Sequence, residues 1–270
     1  MSRNGEAETV TGHVALVGAG PGDPELLTLK GLRRIESADA VVFDRLVARD
    51  ILDRIPSGAT RIYAGKALSR HHLPQAEINN LLVSLGRSGR NVVRLKGGDP
   101  FIFGRGSEEA AVLAEHGIPF EIVPGISAAS GCSAYSGVPL THRGIAQGVR
   151  YVTGHGRDDG TLEHEWAALL DERTTLVIYM GLSNLGRIAR NLLDAGHAAD
   201  IPAAIVENGT TENQRVVKAT LGTLADTVHD RAITAPSVVI IGRVVDLGDS
   251  LAWFRPDAAG GSPWTDVTSG

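Results

Sequence analysis

The sequence predicts an α/β protein built from two α/β domains, and three observations support this prediction. Short apolar segments, typical of buried strands, alternate with segments whose apolar residues recur at helical spacing. Glycine-rich loops follow two of the apolar segments. The alternation weakens between Gly137 and Gly148, where a proline and several glycines interrupt the periodic pattern. We therefore expect domains at 13–140 and 149–254, with disordered tails at 1–12 and 255–270.

Strands and helices alternate through the first of these domains. Apolar runs predict strands at 13–17, 40–43, 60–64, 91–95 and 120–123. Proline favours the first turn of a helix, and helical stretches are expected to begin near Pro24 and at Pro74. Each stretch carries apolar residues at helical spacing, namely Leu26, Leu29, Leu32 and Ile35 in the first and Ile78, Leu81, Leu82 and Leu85 in the second. A third helix is expected at 108–115.

The second domain continues the pattern with more variety. Strands are expected at 149–153, 174–179, 203–206 and 237–241, and a helix is expected at 185–195. The alternation of residues 214–219 predicts an antiparallel strand. Strands separated by helices predict mostly parallel sheets, whose ligand sites lie at the carboxyl ends of the strands. The glycine-rich loops after the first and fourth strands fall at that position.

The bulk composition excludes several classes of protein. A net charge of −5 argues against a general nucleic-acid binder, although it permits a local basic pocket for an acidic substrate. The single cysteine, Cys132, excludes an internal disulfide and a cysteine-ligated cluster, and we expect it to be a small buried residue. The polar start of the chain is unlike a signal peptide, and no apolar run could span a bilayer. We expect a soluble protein of the cytoplasm, without a membrane partner.

The first glycine-rich loop, Gly18-Ala19-Gly20-Pro21-Gly22-Asp23, is ambiguous by itself. It follows a strand and precedes a helix, as a dinucleotide-binding fingerprint does, and Asp39 lies at the distance expected for a ribose contact. However, Asp23 replaces the third glycine, and Pro21 has no N–H to donate to a diphosphate. These two residues disfavour NAD and suit a neutral or cationic ligand. A purely structural turn is the remaining alternative.

Two further segments carry polar residues that could serve a site. In Gly97-Gly98-Asp99-Pro100 the carboxylate could accept a hydroxyl or face a positive group, or it could cap a tight turn. Arg105 and Arg143 could each hold a carboxylate through paired hydrogen bonds, or belong to solvated charge runs. His71, His72 and His155 lack the spacing of a metal site, so no metal is expected. No nucleophile elbow surrounds the serines at 127, 130 and 133.

Read together, the motifs resemble those of one enzyme family. GAGPGDPELLTLKGL, VVFDRLV, RLKGGDPFIFGRGSEE, PGISAASGCSAYSGVPLTHR, YMG and VENGT are similar to the successive motifs of uroporphyrinogen-III methyltransferases, within the tetrapyrrole methylases. The resemblance runs from about His13 to Phe254. It implies two α/β domains unlike the Rossmann methyltransferases, a site in the cleft between them, and a homodimer. It also implies methyl transfer from S-adenosylmethionine (SAM) to two ring carbons of uroporphyrinogen III, C2 and C7, giving precorrin-2.

The resemblance also implies roles for individual residues. The positions of the family that bind SAM correspond here to Pro21, Gly97, Gly98, Asp99, Ile102, Ser127, Ala128, Met180 and Gly209. Acid–base roles correspond to Asp44 and Lys66, and roles in binding the substrate or removing a proton to Arg105, Glu108 and Arg143. Since a guanidinium rarely loses its proton, we interpret Arg105 as a clamp for a substrate carboxylate.

The sequence departs from the family pattern in three features, and three alternative functions stay open. Ser127 replaces a frequent threonine and keeps the hydroxyl, whereas residues 67–72 differ from the more usual segment. The chain has no room for the dehydrogenase–chelatase module that some relatives carry, so we expect methylation alone. The alternatives are a methyltransferase for a later corrin intermediate, an NAD-binding oxidoreductase, and a binding module without turnover.

Overall fold

The computed structural model describes residues 11–65, 74–156, 162–169 and 171–256, together with the backbone of 264–265. The chain divides into two compact units, Met1–Ser127 and Ala128–Gly270. The sequence placed the domain boundary later, between 140 and 149. The two boundaries differ because residues 128–136 form a helix of the second unit. These residues are mostly alanine and serine, so they give no periodic apolar signal.

The first unit alternates strands and helices, as predicted. Its strands are β1 (His13–Gly18), β2 (Ala40–Phe43), β3 (Thr60–Tyr63), β4 (Asn91–Lys96) and β5 (Phe120–Val123). Its helices are α1 (Leu29–Glu36), α2 (Arg49–Leu52), α3 (Gln75–Arg87) and α4 (Gly106–Glu115). The five strands form one parallel sheet in the order β3-β2-β4-β1-β5. All five predicted strands are therefore present, and β2, β4 and β1 occupy the interior of the sheet.

The beginning of α1 differs from the prediction. Pro24 opens only a 3₁₀ turn, Pro24–Leu26, which ends because Leu27 adopts an extended backbone. The Asp23 carboxylate caps this turn by accepting the Glu25 N–H at 2.8 Å. The α-helix begins at Leu29, where the Thr28 hydroxyl accepts the Gly31 N–H at 3.0 Å. The Leu29 side chain is exposed, so it lies outside the apolar stripe expected for this helix.

The sheet of the first unit is covered by a separate apolar cluster on each face. Successive side chains of a strand point to opposite faces, so β1 contributes Ala15 and Val17 to one cluster and Val14 and Leu16 to the other. Strand β4 follows the same alternation with Val93 and Leu95 on one face and Val92 on the other. The pattern places Arg94 and Lys96 on the face of Val92, where both are buried.

The second unit contains a mixed sheet. Its helices are α5 (Ala128–Ser136), α6 (Trp166–Leu169), α7 (Leu185–Asp194), α8 (Leu224–Asp230) and α9 (Gly248–Leu251). Its strands are β6 (Gly148–Thr153), β7 (Thr174–Tyr179), β8 (Pro202–Glu207), β9 (Arg215–Thr220), β10 (Ser237–Ile241) and β11 (Trp264–Thr265). The strand order is β11-β9-β8-β10-β7-β6.

Strand directions decide where the loops of this second sheet gather. Strand β9 is antiparallel to β8, as its alternating sequence predicted. Strand β10 is antiparallel to both β7 and β8, so β7 and β8 run in the same direction and end at the same edge. The main core of this unit consists of Leu176, Ile178, Leu192, Ile205, Leu221, Leu224 and Ile241, among others.

Within the described ranges, no helix has both the length and the apolar character needed to cross a membrane.

Candidate functional site

Four loops meet at the carboxyl edge of the sheet in the first unit. They follow β1, β2, β4 and β5, which are neighbouring parallel strands, so the loops lie side by side. Pro21 lies in the loop after β1, Asp44 in the loop after β2, and Gly97, Gly98 and Asp99 in the loop after β4. The fold thus brings together five residues that sequence reasoning singled out.

The two glycine-rich loops are hydrogen-bonded to each other. The Gly20 N–H donates to the Gly98 carbonyl at 3.1 Å, and the Gly98 N–H donates to the Gly20 carbonyl at 2.6 Å. Gly98 has φ +68°, a conformation that glycine adopts at little cost. A Cβ on Gly18 would lie 2.6 Å from the Gly125 Cα and from the Gly98 carbonyl oxygen. These glycines therefore allow three loops to pack backbone against backbone.

Asp99 joins the loops that follow β4 and β5. Its Oδ1 accepts the Phe101 N–H at 2.8 Å, and its Oδ2 accepts the Gly125 N–H at 3.0 Å. Both oxygens thus have a backbone donor, and each retains further acceptor capacity. The carboxylate fixes the geometry of this edge whether or not it also meets a ligand.

The loop after β2 packs against Gly97. A Cβ on Gly97 would lie 2.6 Å from the Cβ of Leu46, so a larger residue at 97 would displace that loop. The Leu46 N–H donates to the Asp44 Oδ1 at 3.2 Å, and the Leu46 side chain is exposed. Asp44 is therefore held close to the glycine-rich loop by a neighbouring turn.

Three charged residues are buried beneath this edge, and the sequence analysis gave them no role although they belong to the motif RLKGGDPFIFGRGSEE. Glu109 Oε1 accepts hydrogen bonds from Arg94 Nε at 3.1 Å and from Lys96 Nζ at 3.0 Å. Burial and the neighbouring Arg94 lower the pKa of Lys96 from its usual 10.5, and Glu109 partly opposes that shift. The signal was present in the sequence, since Arg94 and Lys96 interrupt an otherwise apolar strand at alternate positions.

Arg105 and Glu108 form a paired ion bridge at the beginning of α4. Arg105 Nε lies 2.9 Å from Glu108 Oε1, and Arg105 Nη2 lies 2.7 Å from Glu108 Oε2. The hydrogen bonds from Arg105 lower the pKa of Glu108. Both side chains are exposed, so a ligand carboxylate could replace Glu108 on the guanidinium. Ile102 lies just before them, in a turn where its N–H reaches the Asp99 carbonyl.

The second unit carries its predicted residues at the ends of two strands. Met180 follows β7, with φ +53° and half of its surface exposed, and Gly209 follows β8. A Cβ on Gly209 would overlap the Sγ of Cys132 in helix α5, which explains why this position has no side chain. Ala128 is the first residue of α5, and Ser127 immediately precedes it at the end of the first unit.

Arg143 and Lys66 are the remaining residues for which the sequence predicted a role in the site. Arg143 is exposed in the segment between α5 and β6, where the His142 N–H donates to the Ala146 carbonyl. Lys66 lies outside the described residues, as do His71, His72 and nearly all of the expected tails. Cys132 is buried, and burial raises the pKa of its thiol to about 12, so it is no nucleophile at neutral pH.

Backbone strain is concentrated in the same loops. Six non-glycine residues of the described ranges have positive φ, a conformation that costs about 1–3 kcal/mol and collects at functional sites. Five of them lie in loops that follow strands, namely Phe103, Arg105, Met180, Asn208 and Thr210. Asn208 and Thr210 were missed by the sequence analysis. Among the described residues no group of three or more His, Cys, Asp or Glu is arranged to hold a metal ion.

Comparison with known proteins identifies the family. Residues 13–225 match the family model of the tetrapyrrole (corrin/porphyrin) methylases. The chain is 58% identical over 244 residues to a siroheme synthase of Pseudomonas putida, a match that covers 90% of this chain and 52% of that protein. The chain thus spans about half the length of the curated relatives it matches.

Solved structures agree with this comparison. The native form of a uroporphyrin-III C-methyl transferase from Thermus thermophilus has a TM-score of 0.75 and 41% identity, with coverage of 87% of this chain and 100% of that one. The same enzyme complexed with S-adenosylhomocysteine has a TM-score of 0.74 and 40% identity, with coverage of 87% and 93%. The fold is accordingly that of two α/β domains and is not a Rossmann fold. This chain belongs to the tetrapyrrole methylases.

Proposed function

We propose that this chain transfers methyl groups from SAM to C2 and C7 of uroporphyrinogen III, giving precorrin-2 and S-adenosylhomocysteine. The observation that carries the proposal is the likeness to the Thermus thermophilus uroporphyrin-III C-methyl transferase, whose whole length is covered at 41% identity. Its complex with S-adenosylhomocysteine supports SAM as the methyl donor. The siroheme synthases of similar sequence support the same class of substrate.

The residues proposed to bind SAM are mostly small or apolar. They are Pro21, Gly97, Gly98, Asp99, Ile102, Ser127, Ala128, Met180 and Gly209. The loops of the first unit present exposed apolar side chains at Leu46, Phe101 and Phe103 beside backbone polar groups. A mostly apolar surface with a few fixed polar groups suits an adenosyl ligand. The rigid, mutually bonded glycine loops also provide a preorganised surface for it.

SAM would supply an electrophilic methyl group, so the task of the protein is mainly alignment. Holding two reactants in line can contribute roughly 7–11 kcal/mol to the lowering of a barrier. A proton must leave the ring system during conversion to precorrin-2 and requires an acceptor. We propose Asp44 and Lys66 for acid–base roles. Asp44 is only partly exposed and is oriented by the Leu46 N–H, which suits a group that must face a reacting atom.

Arginines are proposed to bind the acidic substrate. Uroporphyrinogen III carries eight carboxylates, and guanidinium groups hold carboxylates through paired hydrogen bonds. Arg105 already pairs with the Glu108 carboxylate in this geometry, which supports its proposed role as a clamp. Glu108 would then be displaced on binding and become available to accept or relay a proton. Arg143, exposed in its loop, is the second proposed clamp.

We further propose a homodimer that acts in the cytoplasm. The homodimer is implied by the family resemblance, whereas the single cysteine, Cys132, fits a reducing cytoplasm. Light scattering of the purified protein would measure the mass in solution. No nucleic acid or metal enters the proposed reaction.

The proposed function is tested by anaerobic incubation of the purified chain with uroporphyrinogen III and SAM, followed by mass spectrometry. We expect a product heavier by two methyl groups, and SAM with a deuterated methyl group should shift that mass further. An unchanged tetrapyrrole, from a folded protein that binds SAM, would overturn the proposal in favour of a later corrin substrate or a binding role.

A further inference from the structure

The buried charges Arg94, Lys96 and Glu109 have no role among the residues proposed to bind SAM, bind the tetrapyrrole or move a proton. We propose that Arg94 is a positioning residue for Asp44, and that Glu109 holds Arg94 in place for this purpose. The inference rests on the proposed function, because the acid–base role of Asp44 is part of that function. All four residues lie in the first unit.

The balance of charges points to Asp44. Arg94 and Lys96 are both basic, while Glu109 is the acidic residue between them, and none of the three has more than 5% of its side chain exposed. Buried charges are costly unless they are paired. Asp44 Oδ2 lies 3.7 Å from Arg94 Nη2 and supplies a second carboxylate to the cluster. With 28% of its side chain exposed, Asp44 is the member through which the cluster reaches the sheet edge.

The orientation of Arg94 is fixed by three other acceptors. Its Nε donates to Glu109 Oε1 at 3.1 Å, and its Nη1 donates to the carbonyls of Leu95 at 3.1 Å and Val42 at 3.4 Å. These bonds direct the remaining nitrogen, Nη2, toward Asp44. Because a guanidinium is planar and rigid, fixing its Nε and Nη1 also fixes Nη2, which faces the Asp44 carboxylate.

Asp44 is held from its other side as well. The Leu46 N–H donates to Oδ1 at 3.2 Å, while Arg94 approaches Oδ2. The carboxylate is thus oriented between a turn of the loop after β2 and a guanidinium of β4. Such support is what a group needs if it must stay aligned with a reacting atom.

Stability alone does not account for the cluster. Val92 occupies the same face of β4, and apolar side chains at 94 and 96 would continue the apolar cluster there without a cost of desolvation. Glu109 Oε2 is buried without a hydrogen-bond partner, which costs about 1–3 kcal/mol. A network that lowers stability and ends at Asp44 indicates a role in the site.

The test compares variants of Arg94 in the full chain. Arg94→Met keeps most of the side-chain length and removes the charge and the fork, whereas Arg94→Lys keeps the charge alone. We expect kcat to fall about tenfold to a hundredfold in Arg94→Met and less in Arg94→Lys, since small displacements of a reacting group carry penalties of this size. The Kd for SAM, measured by calorimetry, should stay within about twofold in both, because Arg94 acts on Asp44 and not on SAM.

A control variant at an exposed ion pair and a double variant separate positioning from general damage. Arg34 pairs with Glu121 away from the glycine loops, so Arg34→Met should keep the wild-type kcat. In an Asp44→Asn background, Arg94→Met should cause little further loss, because Arg94 acts through Asp44. If Asp44→Asn alone is inactive, the order of the kcat values tests the inference instead. We then expect wild type to exceed Arg94→Lys, and Arg94→Lys to exceed Arg94→Met.

The outcomes that overturn the inference are distinct from failure of the proposed function. Wild-type kcat in Arg94→Met, additive losses in the double variant, or a loss of SAM affinity parallel to kcat would each overturn it. If Arg94→Met does not fold, Arg94→Lys with wild-type kcat would do the same. A wild-type protein that leaves uroporphyrinogen III unmethylated would overturn the proposed function, and this inference with it.

Discussion

The N–H of Gly125 donates a hydrogen bond to Oδ2 of Asp99 at 3.0 Å, and this bond joins the loops that follow β4 and β5. The other oxygen, Oδ1, accepts the Phe101 N–H at 2.8 Å. The glycine that donates is itself packed against Gly18, so a third loop is held in the same arrangement. Asp99 is thereby the residue on which the geometry of this edge depends most directly.

Replacement of Asp99 by Asn should loosen the edge. An Asn side chain has one acceptor oxygen in place of two, so either Phe101 or Gly125 loses its partner. We expect the free energy of unfolding to fall by about 1–3 kcal/mol and the affinity for SAM to fall with it. Urea denaturation and calorimetry measure the two quantities.

Asp171 provides the matched control for this prediction. Its carboxylate also accepts two local hydrogen bonds, from the Arg173 N–H and the Thr174 hydroxyl, but it lies in the second unit, just before β7, and has no proposed role in binding SAM. Asp171→Asn should leave SAM affinity unchanged. Equal losses of SAM affinity in the two variants would contradict a local role for Asp99.

Gly209 and Cys132 should behave as a coupled pair. Gly209→Ala should destabilise the protein by about 1–3 kcal/mol, because the new Cβ would overlap the Cys132 Sγ. Cys132→Ala removes that sulfur, so the double variant should be more stable than the sum of the single losses predicts. Thermal denaturation of the four proteins measures the coupling, and strictly additive changes would show that the overlap is relieved elsewhere.

Gly98 and Arg143 should separate the binding of SAM from the binding of the tetrapyrrole. Gly98→Val should abolish SAM binding, whereas Arg143→Ala should lose most of the activity while SAM still binds. Calorimetry with SAM and initial rates with uroporphyrinogen III distinguish the two effects. A collapse of SAM affinity in Arg143→Ala would refute this division of roles.

Backbone strain at Gly98 needs a control of its own. Gly117 has φ +65°, close to the +68° of Gly98, but a side chain there would meet open space. Gly117→Val should therefore lose comparable stability and keep its affinity for SAM. A variant at 117 that also loses SAM would mean that strain, and not steric exclusion, explains the effect at 98.

Lys96 should make stability depend on alkaline pH. Burial and Arg94 lower its pKa below 10.5 in the folded protein, so between that lowered value and 10.5 the unfolded chain binds a proton that the folded chain does not. The contribution of Lys96 to the free energy of unfolding must then rise with pH across this window. Below the window both states are protonated, and the cost of burying the ammonium is present in full.

The variant Lys96→Met isolates this contribution. The difference in unfolding free energy, wild type minus variant, should increase as the pH rises toward 10.5, as measured by urea denaturation. A difference that is constant or falls with pH would show that the Lys96 ammonium is not disfavoured by its surroundings.

The sequence allowed most of the fold to be predicted, because each strand of the first sheet is a short apolar run of the kind a parallel sheet buries. Helix α5 was not predicted, since its small residues leave no apolar stripe, and it belongs to the second compact unit, which begins at Ala128. The beginning of α1 was predicted too early because Asp23 caps a separate 3₁₀ turn and Thr28 caps the helix itself, a division that a periodic pattern does not reveal.

The candidate site was predictable only in part, for a similar reason. Motif glycines and Asp99 are contiguous in the chain and were recognised together. The ion pairs of Glu109 join strand β4 to helix α4, so they exist only once the two elements pack. The close approach of Gly209 to the Cys132 sulfur likewise joins positions distant in the chain, and neither segment by itself predicts it.

The stoichiometry of the reaction tests the proposed methyl transfer to uroporphyrinogen III most directly. Under anaerobic conditions, with limiting uroporphyrinogen III and SAM in excess, S-adenosylhomocysteine is quantified against the tetrapyrrole consumed. We expect two molecules of S-adenosylhomocysteine for each uroporphyrinogen III, with both methyl groups, labelled with ¹³C, on ring carbons in the product. Tetrapyrrole left unmethylated, or methyl groups found on its carboxylates, would contradict it.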